Sequence, residues 1–141
     1  MRVSELMTPA PQTVAPGDSV RHAAELMDRL DVGVLPVCVG DELVGVVTDR
    51  DITIRATAVG SPPDSTNVSE VMTDEVCCVS QDDDSADAEE LMSKAQIRRV
   101  PVIDADKHLV GILALGDLAL AGARGVEETL EEISQPGHPQ G

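Results

Sequence analysis

Val3-Ser4-Glu5-Leu6-Met7-Thr8 opens the chain, and Val68-Ser69-Glu70-Val71-Met72-Thr73 repeats it almost residue for residue about 65 positions later. Working outward, the echo continues. Glu25-Leu26-Met27 returns as Glu90-Leu91-Met92, and Leu35-Pro36-Val37 returns as Val100-Pro101-Val102. The spacing then slips by one, aligning Leu43-Val44-Gly45 with Leu109-Val110-Gly111 and Asp51 with Asp117. The slip falls between two apolar runs, where a turn absorbs an extra residue. Solenoid units recur at roughly 20–50 residues. This longer repeat, present twice, reads as a duplicated small module, a pseudo-symmetric pair with sites where the copies meet.

Within each copy the pattern is strand, helix, strand, strand, helix. Thr13-Val14 and Val76–Val79 are the first strands. Asp18-Ser19 and Asp84-Ser85 are suited to cap the helices that follow. Val20, Ala24, Met27 and Leu30 fall at helical spacing in one copy, and Ala88, Leu91, Met92 and Ala95 in the other. Hairpins follow over residues 34–47 and 100–113, turning at Gly40-Asp41 and at Asp104-Ala105-Asp106. Second helices run from about Asp49 to Ala58 and from about Leu115 to Ala123. Gly60-Ser61-Pro62-Pro63 stops the first copy. The expected organisation is residues 1–58, a linker over 59–67, residues 68–125, and a tail over 126–141. In the tail, Val126, Leu130 and Ile133 predict a short helix, and residues 135–141 a frayed end.

The chain has 141 residues and a formal charge of -16. That charge disfavours nucleic acid, whose phosphates need clustered Lys and Arg, and disfavours an anionic membrane surface. No apolar run approaches the roughly 18–20 residues of a membrane span, and no signal-peptide core is present. The expected location is cytoplasmic. The three cysteines, Cys38, Cys77 and Cys78, lack the spacing of a disulfide framework. Cys38 falls in a Val-rich strand and reads as a small buried residue. Cys77-Cys78 would make a strained vicinal disulfide, and their role stays open. His22, His108 and His138 form no ligand constellation in sequence, so no metal is expected. Aromatic residues are absent, so the core must be aliphatic and any bound base must lie between aliphatic groups.

Chemistry concentrates in Gly45-Val46-Val47-Thr48-Asp49-Arg50-Asp51, which runs from a strand into a helix. Exposed N–H groups at such a junction favour an anion. Thr48 adds a hydroxyl, and Asp51 can accept hydrogen bonds from two ribose hydroxyls. Thr48-x-x-Asp51 also nearly matches a capping box, which needs no ligand. The second copy reads Gly111-Ile112-Leu113-Ala114-Leu115-Gly116-Asp117, keeping the carboxylate without the hydroxyl, which hints at another role for Asp117. Arg98-Arg99 stand just before Val100-Pro101, where the first copy has Gly33-Val34. Two adjacent arginines in an acidic chain fit a phosphate, or pairing with nearby carboxylates. Asp49 and Asp51, two apart on a helix, point to different sides. No nucleophile–base set, Gly-rich phosphate loop or HExxH is present, so the chain does not read as an enzyme.

These motifs, in this order and twice over, resemble a tandem cystathionine-β-synthase (CBS) domain pair, or Bateman module, of the small stand-alone bacterial type. The resemblance covers about residues 3–123 and rests on the Val-Ser-Glu-Leu-Met-Thr openings, the two apolar-Pro-Val strands, and Gly45, Thr48 and Asp51. It implies an α+β fold with a three-stranded sheet and two helices per motif, packed about a pseudo-two-fold axis with two clefts. Such pairs bind adenine nucleotides such as AMP, ADP or ATP there, the Asp on ribose and the Thr on phosphate. The implied ligand-binding residues are Thr13, Val14, Leu35 and Pro36 around the base, Thr48 and Asp51 with Arg98 and Arg99 at one cleft, and Asp117 at the other. One strong site per chain is expected, because the Asp117 cleft faces Gly33-Val34 and has Ala114 for a hydroxyl. No catalytic or metal residues and no required cofactor are implied. Partners are an adenosyl ligand, a second copy of the chain, and an unidentified protein that reads the dimer. A constitutive interaction or stress-response scaffold with empty clefts is the alternative. Dimerisation is also expected from second helices apolar on several sides, through Ile52, Ile54, Ala56 and Val59, and through Leu118, Leu120 and Ala121.

Overall fold

The computed structural model describes residues 1–120 of the chain. In order these are α1 (Val3–Leu6), β1 (Thr8–Pro9), α2 (Val20–Leu30), β2 (Val34–Val39), β3 (Glu42–Thr48), α3 (Asp49–Ile52) continued by a π-helical stretch over Thr53–Thr57, a 3₁₀ turn over Val68–Glu70, β4 (Val79–Ser80), α4 (Ser85–Ala95), β5 (Arg99–Ile103), β6 (Leu109–Ala114) and α5 (Leu115–Leu120). The fold is α+β. The tail helix and frayed end expected beyond residue 125 lie outside the described residues.

Compact units and sequence repeats do not share boundaries. The first unit is Gln12–Val76, and the second combines Met1–Pro11 with the chain from Cys77 onward. Each repeat's opening segment is therefore built into the unit of the other repeat. In the second unit, Val3 N–H donates to Asp83 O at 2.9 Å and Ser4 N–H to Gln81 O at 3.0 Å. In the first, Val68 N–H donates to Asp18 O at 2.8 Å and Ser69 N–H to Pro16 O at 3.0 Å. Both segments turn in the same way, with the Glu5 carboxylate accepting from Arg2 N–H and the Glu70 carboxylate from Asn67 N–H. Val3 and Val68 are fully buried, each within its own unit's core.

This exchange corrects the expected three-stranded sheets. The second unit has four strands in the order β1-β6-β5-β4, with β4 parallel to β5 and the other pairs antiparallel. The first unit has the β2–β3 hairpin, flanked by single bridges to Val14 on one side and Thr73 on the other. The fourth position belongs in both units to the end of an exchanged segment, Thr8 or Thr73. Pro36 is tolerated within β2 because its carbonyl side faces Val14, where a single bridge leaves no ladder for a missing N–H to break.

Gly45 and Gly111 let these exchanged segments approach. A Cβ on Gly45 would stand 2.8 Å from Thr73 O, and one on Gly111 would stand 2.9 Å from Thr8 O. Met72 and Met7 cover the same two glycines. The one-residue slip lies in the hairpin turns. β2 and β3 join through Gly40-Asp41, with Gly40 at φ 60°. β5 and β6 need the longer Asp104–His108 turn.

The Ser19 Oγ caps α2 through His22 N–H, and the Asp84 carboxylate caps α4 through Ala86 N–H. The expected helix faces need rotating. α2 buries Val20, Ala23, Leu26 and Met27, while Ala24 and Leu30 are exposed. α4 buries Ser85, Ala88, Glu89 and Met92, while Ala95 is exposed. Small residues at neighbouring positions left the apolar stripe ambiguous by one residue, and the sheet beneath decides it. Both cores are wholly aliphatic, built around Leu35, Val37 and Val47 in one unit and Val100, Leu113 and Leu118 in the other.

Candidate functional site at the strand-to-helix turns

Unit by unit, the expected ligand residues fall into two groups. Thr13, Val14, Leu35, Pro36, Thr48 and Asp51 belong to the first unit, and Arg98, Arg99 and Asp117 to the second. In the first unit, Val34 pairs with Thr48, so the start of β2 lies beside the end of β3. Val14 bridges Val37, three residues further along β2. The strand ends therefore bring Val34 and Thr48 together beside the first turn of α3.

At that turn the capping box is fully formed. Asp51 N–H donates to Thr48 Oγ1 at 3.0 Å, and Thr48 N–H donates to Asp51 Oδ2 at 3.0 Å. Both residues are half-buried, and among the described residues Asp51 Oδ1 accepts no hydrogen bond. Chemically, the turn offers one uncommitted carboxylate oxygen and a hydroxyl oxygen beside a helix start. Asp49 faces elsewhere: its carboxylate accepts from Arg50 N–H and would lie 3.0 Å from a Cβ on Gly33. Asp49 N–H donates to Gly33 O at 2.9 Å. This bond ties Gly33, just before β2, to Asp49, which opens α3.

Thr13 is exposed, whereas Val14, Leu35 and Pro36 are buried, with Val14 and Leu35 in the core. Both Val14 backbone groups bond to β2. Val14 and Leu35 turn into that core, whereas Pro36, next to Leu35 on the strand, is buried on the opposite face, because successive side chains of a strand alternate.

The second unit repeats the frame with other side chains. Leu115 N–H donates to Arg98 O at 2.8 Å, matching the Asp49–Gly33 bond. Ala114 N–H donates to Asp117 Oδ2 at 2.8 Å. The Asp117 carboxylate thus makes the same bond as that of Asp51, with no hydroxyl at Ala114. Arg98 is half-buried and Arg99 exposed.

A further cluster escaped the sequence reading. In the β5–β6 turn, Asp104, Asp106 and His108 bring one ligand-type atom each to within 4.8 Å of the others, and His108 Nδ1 lies 3.3 Å from Asp104 Oδ2. Asp104 organises this turn by accepting from the N–H groups of Asp106 and His108, bonds that hold its carboxyl below the usual range. Burial pushes the Cys38 thiol up, consistent with its place in β2. No helix of the described residues is long and apolar enough to cross a membrane.

The CBS domain family model matches residues 3–56 and again 68–124. The CBS domain-containing protein YhcV of Bacillus subtilis is 44% identical over 118 residues, spanning 84% of this chain and 83% of its own length. The crystal structure of Hypoxic Response Protein I with two coordinated zinc ions superposes with a TM-score of 0.77 at 32% identity, covering 86% of this chain and 98% of that one. That of CBSX2 in complex with AMP superposes with a TM-score of 0.75 at 34% identity, covering 86% and 95%; CBSX2 is an Arabidopsis thaliana protein.

Proposed function

The chain belongs to the CBS-domain family and carries two of its domains, and from that premise we propose that it is a non-enzymatic regulatory module that binds an adenosyl ligand of the AMP, ADP or ATP class between its CBS motifs. The observation that carries this reading is the turn after β3, where Thr48 and Asp51 keep an uncommitted carboxylate oxygen beside a helix start. The AMP complex of CBSX2 supports the ligand class. In this reading Asp51 Oδ1 accepts from ribose hydroxyls, Thr48 and the arginines Arg98 and Arg99 hold phosphate, and Thr13 borders the base.

The module works as a homodimer whose arrangement a protein partner reads. Ligand acts by population shift, stabilising whichever arrangement it binds more tightly. The exposed Ile54 and Val59 of the first unit supply apolar surface for the second copy, at 50% and 69% exposure. Such a contact persists as salt screens the repulsion between acidic chains. Light scattering at low and high salt is expected to give a dimer; a monomer at micromolar concentration in moderate salt would remove dimer geometry as the signal.

A constitutive scaffold with empty clefts is the competing reading, favoured by one observation: the Thr48–Asp51 box is complete without any ligand. Titration of the intact protein with AMP, ADP, ATP, NAD and S-adenosylmethionine, read by calorimetry and thermal shift, separates the two. A ligand that binds only the native state raises its melting temperature. Saturable binding with such a rise supports the sensor, and no response to any of the five supports the scaffold.

A further inference from the structure

Where the chain passes from the first unit into the second, it carries Cys77-Cys78. Cys77 is exposed, Cys78 is half-buried, and Cys38 is held separately in the first unit's core. Among the described residues, Asp74 through Cys78 make no backbone hydrogen bond, so the segment can adjust without breaking a ladder. A disulfide is a poor use of this pair. Adjacent Cα atoms lie about 3.8 Å apart across a trans peptide, short of the roughly 4.4–6.8 Å that an unstrained disulfide spans.

A bridging ion removes that mismatch. Metal–thiolate bonds of about 2.3 Å hold two sulfurs about 4–4.6 Å apart, a separation that adjacent side chains reach with the peptide left trans. The donor count then selects the ion. No group of three metal-ligating side chains among the described residues includes either cysteine. Tetrahedral zinc takes four ligands, whereas the pair itself supplies two thiolates, which suits a soft cation content with two. We propose that Cys77 and Cys78 form a chelating site for a soft, two-coordinate monovalent cation, with copper(I) the type. Binding breaks two S–H bonds, forms two S–Cu bonds and releases two protons to solvent, with copper remaining in the +1 state. The bis-thiolate complex carries one net negative charge. Lys107, which favours the Cys78 thiolate against the opposing effects of burial and Cys77, is placed to offset it.

Reduced protein should be titrated anaerobically with copper(I) held by a chromophoric competitor. The expected result is one tightly bound copper per chain. Cys77→Ser or Cys78→Ser should each weaken it by roughly 100-fold, because losing one thiol forfeits the effective concentration of the second. Cys38→Ser should leave it unchanged. Zinc(II) should not distinguish wild type from either of these two single variants. Equal copper affinity in the wild type and Cys78→Ser would overturn the site. So would retention of copper by the Cys77→Ser/Cys78→Ser double variant, or one copper shared by two chains in native mass spectrometry.

Discussion

The turn from β3 into α3 and the turn from β6 into α5 share a backbone and differ in side chains. In both, the first helical N–H bonds to the carbonyl just before the first strand of the hairpin, Asp49 to Gly33 and Leu115 to Arg98. In both, an aspartate three residues beyond the strand end caps that end. Only the first turn adds a hydroxyl at the strand end, through Thr48, and a carboxylate lying against Gly33. Only the second has an arginine at the carbonyl position. What persists after duplication is therefore the architecture, and what diverged is the chemistry offered. A shared aspartate at the two turns is evidence about capping, whereas ligand preference must lie in the residues that differ.

The largest expected effect tests the shared frame. Gly111→Ala would set a Cβ 2.5 Å from Met7 Sδ and 2.9 Å from Thr8 O. Gly45→Ala meets one backbone atom, Thr73 O at 2.8 Å, with Met72 Sδ at 3.1 Å. Overpacking of this kind costs about 1–3 kcal/mol. Gly111→Ala should fall at the upper end of that range and Gly45→Ala below it, in denaturant titrations of each variant. Equal, negligible losses would mean that the exchanged segments are not held at these glycines.

The next effect tests the divergence. Asp51→Ala should weaken adenine nucleotide binding about 10- to 100-fold, because a hydrogen bond to a charged group contributes roughly 1.5–3 kcal/mol. Asp117→Ala should change the tight site little, and calorimetry should count one strong site per chain. Since Arg98 O already serves the α5 turn, the opposite result has a clear meaning. Loss of tight binding with Asp117→Ala alone would assign the arginine to its own unit's turn and move the strong site there.

Much of this was legible in the sequence. The repeat, the Leu35-Pro36-Val37 and Val100-Pro101-Val102 strands and the helix caps are local signals, and each appears where its residues demand. The one-residue slip landed in a hairpin turn, as a surface loop allows. The exchange of Val3–Thr8 for Val68–Thr73 was not legible. Near-identical segments satisfy either unit equally, so pattern alone cannot say which one each joins. The bonding of Asp117 was missed for a related reason: an aspartate can cap through its carboxylate without the Thr that makes the motif visible. Burial of Val14 and Leu35 followed from strand alternation, which the resemblance to a ligand lining obscured.

A smaller effect makes the two turns interchangeable. Thr48→Ala removes the oxygen that accepts Asp51 N–H, and N-cap losses of this kind cost about 1 kcal/mol. Ala114→Thr supplies the missing hydroxyl in a backbone already capped by Asp117 and should return a comparable or smaller gain. Thermal unfolding of both variants measures the pair. A destabilising Ala114→Thr would show that the second turn has no room for the hydroxyl, and the divergence there would be steric rather than chemical.

The smallest effect compares the helices that follow the caps. α4 buries Glu89 in the second unit, whereas the matching position of α2 is the exposed Ala24. Burial, aided by the nearby Asp84 carboxylate, pushes the Glu89 carboxyl above its ordinary value. The native state then holds this proton more tightly than the unfolded chain does. Below the unfolded value the group is protonated in both states and imposes no penalty. As pH rises from there through the raised native value, the buried carboxylate must ionise and stability falls, levelling off above it. Glu89→Gln keeps the shape and removes the charge. It should stabilise the protein slightly at neutral pH, with the gain shrinking to nothing as the pH drops below the ordinary carboxylate range. Ala24→Gln, at the exposed counterpart, should show no such pH dependence. Denaturant midpoints for both variants across acidic and neutral pH read the difference. A Glu89→Gln gain that stays constant down to acidic pH would trace the effect to packing instead of charge.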